Sequence, residues 1–344
     1  MMILIKAIYL RAINNLYLMK SYFLKFCFLG VFLFSLKNQS QETLPIYQDY
    51  LSDNLFLVHP SAAGIGNSSK LRLTARQQWA GIPDAPALQT LSFHSKLSEV
   101  SNAAYGLILF NDKNGYHSQK GVQGTYAYHL PLSDERFFEQ LSFGLAFTFV
   151  QNQSDQRSFD NSDVAAIIQS TSYYNADFSV AYHKAGFSSY FTLKNLLLTA
   201  KNNLNVQEPL DLKNYIFSLG YYFGEDNFIQ LEPSIMLQFK ESIGQRFADF
   251  NLKAYKTFSQ TQIWAAVSYR KSFDPNIIDS SQFISPIIGL NYNNFMFSYT
   301  YTKQINDIVF TNTGFHQISV GINLWTRKPR AAACPNINSL YGSF

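Results

Sequence analysis

From Phe228 to Lys240 the chain alternates between two kinds of residue. Ile229, Leu231, Pro233, Ile235, Leu237 and Phe239 fall on one parity, and Gln230, Glu232, Ser234, Gln238 and Lys240 on the other, with Met236 as the lapse. Successive residues of a strand point to opposite faces, so this segment predicts a strand with one oily and one wet, charged face. At roughly 3.3 Å per residue such a run crosses the hydrocarbon layer of a bilayer even when tilted. Leu141, Phe143, Leu145, Phe147 and Phe149 likewise oppose Ser142, Gly144, Ala146 and Thr148, and Ile318, Val320, Ile322 and Leu324 oppose Gln317, Ser319, Gly321 and Asn323.

Fourteen strands are predicted, near 71–79, 88–95, 104–111, 121–130, 141–151, 174–184, 187–194, 214–224, 227–239, 246–258, 261–271, 284–292, 294–303 and 316–324. Tight turns are expected at 224–227, Ser259-Gln260 and Asn293-Asn294, and longer loops at 152–172 and 201–213. A short helix is expected at 46–58, and Gly64-Ile65-Gly66 reads as a tight turn into the first strand. An even strand number with short turns alternating with long loops is the layout of an up-and-down outer-membrane β-barrel. A soluble β-sandwich or secreted barrel would carry the same alternation with the oily parity inward. Strand length, the Phe and Tyr load on the apolar parity and the low charge favour the membrane.

Composition sharpens that choice. Only 15% of residues are charged while 16% are aromatic, against about 25% charged in globular domains. A mean hydropathy of −0.09 argues against a bundle of membrane helices; a barrel escapes that test because only alternate residues face lipid. The net charge of +4 misleads. Lys6, Arg11, Lys20, Lys25 and Lys37 all lie in residues 1–40, which hold no acid, and without them 22 basic residues face 23 acidic ones. A neutral body lacks the clustered basic face that nucleic-acid binding requires.

The chain start reads as a secretory signal over 1–40, with the true start at Met19: Lys20 and Lys25 are the basic part and Phe26–Leu36 the apolar stretch. An uncleaved anchor is the alternative. Cys27 lies in this leader, so Cys334 would remain alone and no intramolecular disulfide could form. The organisation that follows is a periplasmic segment over 41–70, a barrel over 71–324 and a tail over 325–344.

On the membrane reading Glu232, Lys240, Asp249, Lys253 and Arg270 point into the lumen. They could line a solute path or a partner surface, or simply pair with one another, as buried charges tend to. His59, His94, His117, His129, His183 and His316 are scattered without metal-ligand spacing, and no Ser–His pair carries a hydrolase signature. The residues therefore point to no catalytic centre and no cofactor.

From Ile46 onward several short motifs occur in order. Ile46-Tyr47-Gln48-Asp49-Tyr50 precedes Asn54-Leu55-Phe56-Leu57-Val58-His59-Pro60-Ser61-Ala62-Ala63-Gly64. Arg76-Gln77-Gln78-Trp79-Ala80-Gly81, then Pro86, then Phe110-Asn111-Asp112-Lys113-Asn114-Gly115 follow, with Glu232-Pro233-Ser234, Gly314-Phe315-His316-Gln317-Ile318 and Cys334-Pro335 further on. This series resembles the PorP/SprF family, departing from its usual pattern at His59, Phe315 and Gln317. The resemblance implies an outer-membrane barrel of the type IX secretion and gliding machinery of Bacteroidetes-type bacteria, not an enzyme. It would hold a secreted adhesin at the cell surface through the cargo's C-terminal domain, together with other secretion components. It marks Asn54, Pro60, Gly64, Arg76, Gln78, Trp79, Gly81, Pro86, Asn111, Asp112 and Gly115 as motif positions. Trp79, at the end of the first strand, is expected to anchor the membrane interface. Cargo contact would fall to the surface loops or to 41–70, and an exposed cargo strand could pair with a strand edge at a loop. The rival functions are a porin or transporter for small hydrophobic solutes and a lipid-acting outer-membrane enzyme.

Overall fold

The alternation closes on itself. In the computed structural model fourteen antiparallel strands form a closed barrel, each paired with its sequence neighbours and the last with the first. They are β1 (Ser69–Gln78), β2 (Ala87–Lys96), β3 (Ala103–Asn114), β4 (His117–Pro131), β5 (Glu139–Asp155), β6 (Ile168–Lys184), β7 (Phe187–Lys194), β8 (Asn214–Tyr221), β9 (Gln230–Lys240), β10 (Arg246–Phe258), β11 (Thr261–Ser272), β12 (Gln282–Tyr292), β13 (Phe295–Gln304) and β14 (Phe315–Leu324). The structure describes residues 48–325 apart from 53, 67, 79–84, 99–100, 134–138, 156–167, 198–212, 225–227, 242–243, 259–260, 274–281 and 306–313. The expected signal over 1–40, the tail beyond 325, the expected Ser259-Gln260 turn, Trp79 and Gly81 lie outside the described residues.

The parity has the sense a membrane demands. Leu231 and Leu237 are exposed on the outer face, while Gln230 and Gln238 are buried inside. Phe143, Leu145, Phe147 and Phe149 form an outer row on β5, and Ile263, Val267, Phe250 and Leu252 continue it on β10 and β11. A water-soluble barrel would bury these side chains; only acyl chains stabilise them where they stand. Closure removes the remaining difficulty, since lipid offers no partner for an unpaired strand edge. The closing ladder runs from Ser69↔Leu324 to Gln78↔Phe315. Arg72 reinforces it from within, donating to the carbonyl of Ile322 at 3.2 Å and to Asn323 Oδ1 at 2.7 Å. Gly321, opposite Arg72, leaves the room its guanidinium fills.

One barrel end carries tight connections, among them Ala185-Gly186 and Asn293-Asn294, and the other carries the long segments 156–167 and 195–213. Asn293 takes the left-handed conformation (φ 48°) that its short polar side chain tolerates. The tight end, where β1 starts and β14 ends, is the periplasmic end of an outer-membrane barrel.

Three expectations need correction. The loop over 152–172 is strand at both ends: β5 runs to Asp155 and β6 starts at Ile168. The sequence there is polar on both parities because these strand ends have left the hydrocarbon. The helix over 46–58 is instead a series of short 3-10 turns, Gln48–Leu51, Leu55–Leu57 and Pro60–Ala62. And the segment 41–70, expected in the periplasm, has its described part from Gln48 to Gly66 inside the barrel. The cause is apolar side chains on the inward parity. Ile216, Tyr222, Met236, Tyr255, Trp264 and Ile287 face the lumen and pack with Tyr50, Leu51 and Val58. Each such side chain gains about 1.5–3 kcal/mol by leaving water.

Candidate functional site

The lumen filling is built turn by turn. Short 3-10 turns leave carbonyls without internal partners, and lysines from two different wall strands supply them. Lys253 of β10 donates to the Leu51 carbonyl at 3.1 Å, and Lys194 of β7 to the Leu57 carbonyl at 3.1 Å. Between the turns Asn54 donates to Ser92 Oγ of β2 at 3.0 Å. His59 places its ring nitrogens 2.7 Å from Thr192 Oγ1 and 2.9 Å from Ser218 Oγ, so a neutral imidazole is satisfied in either tautomer, and it stacks on Tyr190. Ser61 meets Ser179 of β6 at 2.7 Å. His129 of β4 donates to the Ala63 carbonyl, and the Gly64 amide donates to His94 of β2, both at 2.9 Å. One short segment is thus bonded to β2, β4, β6, β7, β8 and β10.

Glycines make the approach possible. A Cβ at Gly106 would overlap the Phe56 ring, and one at Gly144 would overlap the backbone of Pro60 and Ser61. Gly64 itself stands at φ +72° against Ala104, which explains glycine at that motif position. Pro60 opens the third turn, where its missing amide hydrogen is not needed.

The inward charges are paired. Arg270 grips Asp249 through two bonds, Nε to Oδ1 at 2.6 Å and Nη2 to Oδ2 at 2.7 Å. Tyr50 donates to the same carboxylate at 2.9 Å and accepts from Asn251 at 2.9 Å, tying the first turn to the ion pair. Glu232 accepts from the Tyr255 hydroxyl. The Lys253 ammonium lies 4.0 Å from the Trp264 ring centroid. Lys240, at the upper end of β9, is only partly buried. Asp177 completes the set at 3.9 Å from Lys194.

The motif residues divide in two. Asn54, Pro60 and Gly64 join the lumen filling. Arg76, Gln78 and Pro86 gather at the surface rim instead: Arg76 lies over the Phe315 ring and the Gln78 amide donates to the Pro86 carbonyl at 2.9 Å. Asn111 and Asp112 sit high on β3, and Gly115 makes its hairpin turn at φ +59°. The participants that sequence reasoning missed are Tyr50, Ser92, Lys194, Thr192 and Ser218. The available signal was the run of apolar lapses on the wet parity, Met236, Tyr255 and Trp264.

What stays open beneath the filling is a cavity of about 70 Å³, bounded by Leu55, Phe56, Lys70, His94, Glu232 and Lys253. It has room for a few water molecules. Among the described residues no group of three or more His, Cys, Asp or Glu side chains is placed to hold a metal ion.

Residues 39–322 match the family described as type IX secretion system membrane protein PorP/SprF. The chain belongs to the PorP/SprF family. Among curated proteins nothing matches. Solved structures similar to this PorP/SprF protein include CdiB from Acinetobacter baumannii, at 10% identity and TM-score 0.41 over 74% of this chain and 60% of that one. The chain thus spans about three-fifths of the length of CdiB. Omp33 of Acinetobacter baumannii aligns at 7% identity and TM-score 0.40, covering 75% of this chain and all of that one. OmpF of Salmonella typhi, solved with daunomycin, aligns at 9% identity and TM-score 0.37, over 77% and 98% of the two chains.

Proposed function

We propose that this PorP/SprF protein is a closed docking barrel of the outer membrane, which holds a secreted adhesin at the cell surface for the type IX machinery. The reading makes it a binding protein, not an enzyme, with the cargo's C-terminal domain and other secretion components as its partners. The observation that carries it is the occupied lumen. A pore for solutes or for an unfolded chain needs an unobstructed path, whereas here residues 48–66 are bonded to strands on opposite walls, Asn54 and Gly64 to β2 and Leu51 to β10. A filled barrel supplies a rigid membrane anchor and leaves recognition to what projects from the surface end.

Two measurements test it. Deletion of the gene followed by proteomics of the cell surface should show loss of one large adhesin; an unchanged surface with altered solute uptake would point to the porin instead. Purified protein in planar bilayers should pass no steady current, and a stable open channel would refute the docking assignment.

A further inference from the structure

On β10–β14 the outward rows end differently at the two surfaces of the membrane. Towards the periplasm they finish on oily or aromatic side chains, among them Phe258, Tyr292 and Phe295, all exposed. Towards the cell surface they pass through Phe250 on β10, Val267 and Tyr269 on β11, and Tyr299 and Tyr301 on β13. Then the chemistry changes. The last outward position is Arg246 on β10, Lys271 on β11 and Lys303 on β13. These five strands contain a single acid, Asp249, and it points inward onto Arg270. The outward charge that they carry at the surface end is therefore entirely positive.

The periplasmic end is built otherwise. Lys184 of β6 is answered there by Glu139 of β5 at 3.5 Å. Lys256 of β10 lies 3.7 Å from the Phe228 ring centroid, inside an aromatic cluster. A general interfacial belt of charge would treat both surfaces alike.

Register brings the three surface cations together. Lys271 pairs with Ala248, which sets Arg246 on its diagonal, about 7–8 Å away along the wall. Lys303 stands across β12, because Lys271 pairs with Gln282 and Lys303 with Ile284. Two strand spacings amount to about 10 Å, a gap that long lysine stems can span. Aromatic faces hold two of the cations at the boundary: Arg246 lies 5.7 Å from the Phe239 ring centroid and Lys271 5.5 Å from that of Phe273. Beside Lys303, the His316 ring meets the Tyr299 hydroxyl at 2.7 Å and lies 5.2 Å from the Tyr301 ring.

We propose that Arg246, Lys271 and Lys303 form a seat on the outer face of the barrel for one phosphorylated glycolipid of the outer leaflet. Guanidinium and ammonium groups are the side chains best suited to phosphate. Their position selects the source: the surface end meets the leaflet whose lipids carry phosphate on a sugar head, and the phospholipid heads of the other leaflet lie a membrane's thickness away. Tyr269, Tyr299 and Tyr301, just below the cations, are amphipathic rings suited to the zone where sugar gives way to acyl chain. The inference goes beyond docking and does not depend on it.

The test uses the full mature barrel, stripped of host lipid by exchange into a neutral detergent. The probes are lipid A carrying its phosphates, the same lipid A after enzymatic dephosphorylation, and phosphatidylglycerol, which is anionic but has no sugar. Native mass spectrometry should find one phosphorylated lipid A per barrel, bound about tenfold more tightly than either other probe. Lys271→Gln with Lys303→Gln should weaken that binding by about tenfold. Lys271→Arg with Lys303→Arg should preserve it, and Lys256→Gln, at the opposite rim, should leave it as in the parent protein. Heat-modifiable migration on gels verifies that each variant is folded. Equal affinity for the dephosphorylated lipid would overturn phosphate recognition, and equal affinity for phosphatidylglycerol would overturn the choice of glycolipid. An unaltered affinity in the double glutamine variant, or an equal loss in Lys256→Gln, would remove the seat from these residues.

Discussion

Lys253 and Leu51 lie 202 positions apart in sequence, yet the lysine ammonium donates to the leucine carbonyl at 3.1 Å while resting against the Trp264 ring. A charge-assisted hydrogen bond of this kind contributes about 1.5–3 kcal/mol. Lys253→Met keeps the stem and removes the donor, so it should loosen the first turn from the wall without opening the barrel. Hydrogen exchange at residues 50–58 should then speed up, while exchange across β10 and β11 stays as in the parent protein. Equal acceleration in both regions would mean that Lys253 supports the wall itself.

A wedge at Gly144 should separate filling from wall. Gly144→Leu sets a branched side chain where the Pro60–Ser61 backbone now lies. The outer face of β5 is untouched, so insertion into detergent and folding should persist. Conductance events absent from the parent protein should appear in planar bilayers. Silence from a folded Gly144→Leu barrel would show that the lumen stays blocked without this contact.

The Asp249–Arg270 pair should be sensitive to the loss of one partner and tolerant of the loss of both. Asp249→Asn strands a buried guanidinium, which typically costs about 3–5 kcal/mol. Asp249→Leu combined with Arg270→Met replaces the pair by apolar volume and should recover most of that loss. Urea titrations of folding in lipid vesicles measure both. Equal destabilisation by the single and double variants would contradict the account.

Charge on the outer face tests the membrane assignment itself. Val267 is half exposed midway along β11. Val267→Arg should cost roughly 2–4 kcal/mol of folding into bilayers. Should Val267→Arg fold as readily as the parent, or should the mature chain remain monomeric in buffer without detergent, the outer face would not be a lipid face.

The wall was legible because lipid on one side and a polar interior on the other force each strand to alternate. Where that constraint lapses, so did legibility. Asn152–Asp155 and Gln169–Ser172 leave the hydrocarbon and lose the oily parity, so these strand ends read as loop. Segment 48–66 was hidden for a different reason. Its apolar residues follow no strand or helix period because they fit a cavity whose walls come from distant parts of the chain, and apolar residues on a wet face, Met236, Tyr255 and Trp264 among them, betrayed that cavity. The motif residues fared similarly. Gly64 is explained by a contact with Ala104, which no local pattern could disclose, while Arg76, Gln78 and Pro86 mark a rim whose neighbouring Trp79 lies outside the described residues.

The ladder between β1 and β14, together with the bond from Tyr50 to Asp249 across 199 positions, has a consequence for how the molecule matures. The bond to Asp249 must wait for β10, and the barrel cannot close until β14 has been made. Contacts this remote in sequence are reached slowly and leave greasy surfaces waiting in the meantime. Until closure the oily outer parity has no lipid to meet, so an unfinished copy is a sticky precursor.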